Sequence, residues 1–260
     1  MELYGLIWAG LLGLAIGSFL NVVIYRLPRK LRFLLERSIC PRCRRQLRWY
    51  HNIPLVSYLF LRGRCGFCHE SISLRYPSVE LANALFYVFF YWQFGLSLQF
   101  LVFAFLGSSL LAIFLIDLEF QIIPDVITIP GMAIGLTVSL LPDGIGIGNA
   151  AIGLLVGGGS LYLIALLGDW LFKKDSMGGG DIKMAGMLGA FLGWQKVLFI
   201  FMASAVIGLG VSLIVMIFSS RLRRNRVIPF GPFLATAALL SIVYGDRVIS
   251  YYVSNFLTVQ

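Results

Sequence analysis

The chain has 260 residues, of which 59% are apolar and only 13% charged, and its net charge is +9. A soluble domain carries about a quarter charged residues, so a water-soluble globule is excluded and most of the apolar surface must face lipid. The positive balance invites a nucleic-acid reading, but the basic residues sit between apolar runs, the pattern that orients a membrane protein, and no nucleic-acid partner is expected.

The first apolar run, about 3–25, has no basic segment before it and Arg26, Arg29 and Lys30 after it. That is the reverse of a cleavable signal peptide, so it reads as a retained span. A polar segment, 26–76, follows and holds twelve of the 21 Lys and Arg residues against two acids, Glu36 and Glu70. Further apolar runs lie near 78–95, 97–116, 123–141, 147–170, 184–194, 196–218 and 229–244. All but 184–194 approach the length needed to cross about 30 Å of hydrocarbon. The short run reads as a span or as a re-entrant segment buried against its neighbours. The expected fold is therefore an all-α polytopic membrane protein of about eight transmembrane helices. A small loop domain (26–76) separates the first span (1–25) from a multi-span core (77–260).

Eight spans put 26–76, 117–122, 171–183 and 219–228 on one side, and these hold 19 of the 21 basic residues. Only Lys196 and Arg247 fall opposite. By the positive-inside rule that side is cytoplasmic and both termini lie outside. Basic loops of this kind also attract anionic lipid headgroups. Glycines recur at four-residue spacing (Gly13/Gly17, Gly131/Gly135, Gly153/Gly157, Gly189/Gly193) and predict close helix approach. Phe89, Phe90, Tyr91 and Trp92 read as an interfacial aromatic belt.

All four cysteines lie in 26–76, as Cys40-Pro-Arg-Cys43 and Cys65-Gly-Phe-Cys68, with 21 residues between the pairs. Two CxxC hooks at this distance predict a tetrahedral zinc site. The alternatives are a redox pair or unligated thiols; a cytoplasmic location disfavours structural disulfides. A four-thiolate shell leaves no position for water, so such a zinc is structural. His51 and His69 could substitute as ligands, but four cysteines already fill the shell.

Two acidic stretches stand out near span ends: Asp117-Leu-Glu-Phe-Gln-Ile-Ile-Pro124-Asp125 and Gly178-Gly179-Gly180-Asp181-Ile-Lys183. Ionisable groups at membrane depth are functional candidates. Two carboxylates sharing a proton can run aspartyl-protease chemistry, one activating water and the other protonating the carbonyl oxygen. The glycine triplet would allow positive φ angles and close backbone approach, and Pro124 would stiffen the turn beside Asp125. Asp143, Asp169 and Asp175 read as helix caps or solvated charges. Acids near the midplane with Gly-broken spans would indicate an ion-coupled transporter, and a zinc loop alone a membrane scaffold.

Taken in order, several stretches resemble the bacterial type IV prepilin peptidases, an intramembrane aspartyl protease family. These are Gly17-Ser18-Phe19-Leu20-Asn21 through Tyr25-Arg26-Leu27-Pro28, the CxxC pairs with Asn52-Ile53-Pro54-Leu55-Val56-Ser57-Tyr58 between them, Arg62-Gly63-Arg64-Cys65, and Arg75-Tyr76-Pro77-Ser78-Val79-Glu80. The resemblance covers nearly the whole chain. It implies catalytic aspartates at Asp117 and Asp181, with Asp125 as the alternative for the first. It leaves Asp125, Gly178, Gly179, Gly180 and Lys183 in support. It also implies a bacterial inner-membrane enzyme that removes the basic leader of prepilins or pseudopilins. The new N-terminus would then be methylated with S-adenosylmethionine. No strand–GxGxxG–helix pattern marks a site for that cofactor; the cysteine-bearing loop is the candidate region. A basic leader would not be drawn to a basic loop, so it should meet anionic lipid or the local carboxylates.

Overall fold

Hydrocarbon offers no partner to a backbone N–H or C=O, so an apolar run that crosses it must close its hydrogen bonds as a helix. The computed structural model describes residues 3–32, 38–173, 177–218 and 228–257 and has a helix at each of the eight apolar runs. In chain order these are α1 (Leu3–Arg26), a short α2 (Val56–Phe60) inside the polar segment, α3 (Arg75–Phe94), α4 (Leu98–Phe120), α5 (Asp125–Val138), α6 (Ile147–Leu154), α7 (Ser160–Phe172), α8 (Gly179–Leu192), α9 (Trp194–Phe218) and α10 (Gly231–Tyr252). A π-helical turn, Leu155–Gly159, joins α6 to α7, so the two form one rod. Among the described residues, five helical rods are long and apolar enough to cross a membrane: α1, α4, α6–α7, α9 and α10. At about 1.5 Å per residue, α5 and α8 reach roughly 21 Å, short of the hydrocarbon thickness. Asp175 and most of 219–228 lie outside the described residues.

The chain forms two compact units, Met1–Ala112 and Ile113–Gln260. In the first, α1 and α3 lie backbone to backbone. A Cβ at Gly13 would come 2.7 Å from the Ala84 Cα, and one at Gly17 would come 2.7 Å from the Glu80 Cα. Polar side chains pin this contact. Asn83, fully buried, donates to the Gly13 carbonyl at 2.8 Å and accepts from the Ser108 hydroxyl at 2.8 Å. Asn21 donates to the Tyr76 carbonyl at 3.0 Å. The aromatic run divides by helix face: Trp92 is exposed, whereas Phe90 is buried against Phe86, Phe89 and Phe103. Phe90 is therefore core, not belt, because it faces α4.

In the second unit, α8 is the most buried element, with every residue from Met184 to Leu192 buried. Glycines admit it on two sides. A Cβ at Gly153 would come 2.3 Å from the Gly189 carbonyl oxygen, and one at Gly157 the same distance from that of Ala185. On the α5 side, Gly131 and Gly135 face Met187 and Ala190. Three of the four predicted glycine pairs thus pack as expected. The fourth divides its labour: Gly189 meets Gly153, while Gly193, at φ +81°, ends α8. The short sixth run is a helix encased by α5 and the α6–α7 rod.

Gly189→Ala would force a methyl group toward the Gly153 backbone, which no rotamer change can relieve. The expected loss is about 1–3 kcal/mol of stability, seen as a lower thermal unfolding temperature in detergent; an unchanged temperature would show that the helices part freely.

Candidate active site and metal centre

The helix ends of the second unit gather its acids. Asp117 lies in the last turn of α4, where the carbonyl end of the helix disfavours an anion. It is 5% exposed, and its Oδ2 accepts the Gly231 N–H at 3.1 Å. Gly231 begins α10, so that N–H is one of the donors a helix start leaves unpaired. Asp117 thereby gains a donor and α10 gains a cap.

Asp181 sits in the first turn of α8, on the favourable end of its helix, with its N–H bonded to the Gly178 carbonyl at 3.1 Å. One carboxylate oxygen, Oδ1, is buried and has no hydrogen-bond partner among the described residues. Both acids are anchored beside one side chain: Ile123 packs on Gly180, which precedes Asp181, and on Gly231, whose N–H Asp117 accepts.

Asp125 is placed differently. It opens α5, is exposed, and accepts from Lys183 Nζ at 2.7 Å. Both partners are substantially solvated, so the pair contributes about 0–1 kcal/mol. Its geometric effect is to tie the start of α5 to the first turn of α8.

The glycine triplet serves packing, not an unusual backbone. None of its members has a positive φ, contrary to expectation, because the chain enters α8 directly with Gly178 extended at φ −68°. Gly180 is the most constrained sterically: a Cβ there would lie 2.8 Å from the Ile123 Cβ, whereas one at Gly179 would meet nothing within 4 Å among the described residues. Ile123 also backs Gly231, where a Cβ would lie 2.6 Å from Asp117 Oδ2 and 3.1 Å from the Ile123 Cδ1. Gly231 was not singled out from sequence. Its signal was Pro229-Phe-Gly-Pro232, a glycine between prolines immediately before an apolar run.

In the first unit, the cysteines form two knuckles of the same shape. Ile39 bridges Gln46 as Arg64 bridges Ser71. The Cys40 N–H donates to the Arg45 carbonyl and the Cys65 N–H to that of Glu70. Arg44 and His69, each just past the second cysteine, take positive φ angles of 56° and 58°. All four Sγ atoms fall within 4.8 Å of one another, with Cys40 and Cys68 at 3.9 Å. Zinc–sulfur bonds of about 2.3 Å in a tetrahedron require sulfur atoms about 3.8 Å apart. The donor set and spacing therefore fit zinc. Burial opposes ionisation of Cys65, but the N–H groups of Cys68 and Phe67 and the neighbouring thiols outweigh it and bring its pKa down to about 7. Neither histidine joins the cluster: His69 makes the knuckle turn, and His51 packs edge-on against Phe67.

Comparison with known proteins gives concordant results. Residues 11–94 match the model of the bacterial peptidase A24 N-terminal domain, and residues 103–213 that of the type IV leader peptidase family. The chain is 38% identical to a prepilin leader peptidase/N-methyltransferase of Pseudomonas putida, with 97% of this chain and 94% of that protein covered. It is 36% identical to one from Pseudomonas aeruginosa (93% and 91% covered) and 35% identical to one from Neisseria gonorrhoeae (92% and 91%). No solved structure matches it.

The contrast between Gly231 and Gly179 is directly testable. Gly231→Ala should lower stability by about 1–3 kcal/mol, because the methyl group displaces the Asp117 carboxylate. Gly179→Ala should be neutral or slightly stabilising. Equal unfolding temperatures for the two variants would overturn the assignment of Gly231 to this contact.

Proposed function

Because the chain belongs to the type IV leader peptidase family, we propose that it removes the basic leader of type IV prepilins or pseudopilins, with Asp117 and Asp181 as the catalytic pair. The observation that supports this reading is that the two acids are anchored beside the same Ile123 with unequal partners. Asp117 accepts a backbone N–H, the arrangement that suits a carboxylate. Asp181 has a buried oxygen with no partner among the described residues, the arrangement that suits a protonated acid awaiting an acceptor.

The roles follow from those partners. Asp117 takes a proton from water as its oxygen attacks the scissile carbonyl carbon, while Asp181 gives its proton to the carbonyl oxygen. The tetrahedral intermediate then collapses. The C–N bond breaks, the leaving amine takes the proton held by Asp117, and the former carbonyl oxygen returns a proton to Asp181. The two acids titrate as a pair. Asp125 is exposed and paired with Lys183, which supports a positioning role for both, across the start of α5 and α8. Gly178, Gly179 and Gly180 bring α8 in against Ile123.

The four thiolates of Cys40, Cys43, Cys65 and Cys68 would hold a structural zinc that orders the polar segment, whose own core is too small to do so. S-adenosylmethionine, when bound, would supply an electrophilic methyl group for the new N-terminal amine. The buried acceptors of the first unit, Glu80 and the Asn21 side-chain oxygen, suit the amine end of the substrate that would receive this methyl group. The charge bias supports a bacterial inner-membrane location with the cysteines and aspartates on the cytoplasmic side and both termini outside.

Two experiments test the proposal. Purified protein and a prepilin in lipid should give leader removal, seen as a size shift. Asp117→Asn and Asp181→Asn should each lose at least about 100-fold, while Asp125→Asn remains active; cleavage by both dyad variants would sink the mechanism. Elemental analysis should find one zinc per chain. Cys40→Ser or Cys65→Ser should lose the metal and expose residues 38–73 to protease. A metal-free wild type with a protease-resistant segment would end the structural-zinc reading.

A further inference from the structure

The first unit buries an acid that neither the aspartate pair nor the thiol cluster employs. Glu80, in α3, is 8% exposed. It accepts the Leu55 N–H at 2.9 Å and a hydrogen bond from the Ser18 hydroxyl, and it has no ion-pair partner among the described residues. A buried carboxylate without a cation is a destabilising feature of a fold. The backbone that covers it is itself strained: Leu55 holds φ at +57°, a region bulky residues seldom adopt and one found mainly at functional sites.

A second acceptor stands nearby. Asn21 lies one helical turn beyond Ser18 on the same face of α1, about 5–6 Å along it. Asn21 is 3% exposed and donates its NH2 group to the Tyr76 carbonyl, and its Oδ1 is buried with no partner among the described residues. The site therefore offers a carboxylate and a carbonyl and requires a donor, preferably charged. Ser18 and Leu55 at its margin are only half-buried, so a slender group can approach. A primary ammonium, with three N–H bonds, matches this set.

Resting on the methyl-transfer reading above, we propose that Glu80 is the proton acceptor for N-methylation and that Asn21 Oδ1 helps orient the substrate amine. The N-terminal ammonium of the cleaved substrate binds between them and gives one proton to Glu80. The amine lone pair attacks the methyl carbon of the sulfonium donor. A C–N bond forms, the C–S bond breaks, and the sulfur keeps the electron pair as a thioether. Cleavage and methylation thus use different acids, Asp117 with Asp181 for the first and Glu80 for the second.

The test uses the full zinc-loaded chain in lipid nanodiscs, a prepilin, and S-adenosylmethionine, with Glu80→Gln and Glu80→Asp beside wild type. Glu80→Gln preserves size and still accepts from Leu55. It should cleave at the wild-type rate and keep its zinc, yet methylate at least about 100-fold more slowly. Glu80→Asp retains the charge and should methylate faster than Glu80→Gln. Binding gives a readout independent of the methyl donor. Wild type should prefer a peptide of the mature N-terminus with a free amine over its acetylated form by about tenfold or more, and Glu80→Gln should lose that preference. If Glu80 merely staples the Leu55 segment, the order reverses, with Glu80→Gln near wild type and Glu80→Asp impaired; that result, or an unchanged amine preference, overturns the proposal. A wild type that cleaves but does not methylate would instead overturn the methyl-transfer reading, and the role of Glu80 with it.

Discussion

Backbone contact across glycines is the constraint on which the second unit rests. A lipid-facing helix gains little from burying apolar side chains, because the hydrocarbon around it is as apolar as they are. Close packing of main chains, with its many short dispersion contacts, has to replace that driving force. Helix α8 shows the result. It is too short to span, it is buried from Met184 onward, and it is admitted only where Gly153, Gly157 and Gly189 carry no side chain. Asp181 is delivered by the first turn of this helix, so the position of a titratable group depends on contacts several turns away. The first unit repeats the device with Gly13 and Gly17 against α3.

Helix ends provide the second organising element. Three acids lie at termini: Asp125 and Asp181 at helix starts, and Asp117 at a helix finish. The macrodipole stabilises the first two as anions and opposes the third. Asp117 is compensated by the free N–H at the start of α10, so a different helix corrects the imbalance. At Asp181 the burial of one oxygen with no partner among the described residues opposes the charge that its helix start favours, so the two candidate acids have unlike surroundings, as a reaction needing one base and one acid requires.

Much of this was legible in the chain. Hydropathy located the helices, and the glycine spacing marked most of the tight contacts, because both signals are local. The CxxC hooks predicted a cluster that the fold forms. What could not be read were consequences of tertiary approach. Phe90 faces protein while its neighbour Trp92 does not, and only the placement of α4 decides that. The glycine triplet suggested a backbone freedom that α8 does not use, since Gly180 is there to clear Ile123. Gly231 lies 114 residues from its partner Asp117. A single glycine in a polar-to-apolar transition reads as a turn until the carboxylate is seen against it.

The same crowding bears on drug resistance. Escape from an inhibitor commonly arises when a residue lining a site grows and excludes the compound while sparing the substrate. Around Asp117, the proposed base, that route is narrow. Enlarging Gly231 displaces the carboxylate itself, and enlarging Gly180 shifts Ile123, which backs both. A compound seated against these two main-chain positions would face a target that cannot add bulk there without damaging its own carboxylate geometry.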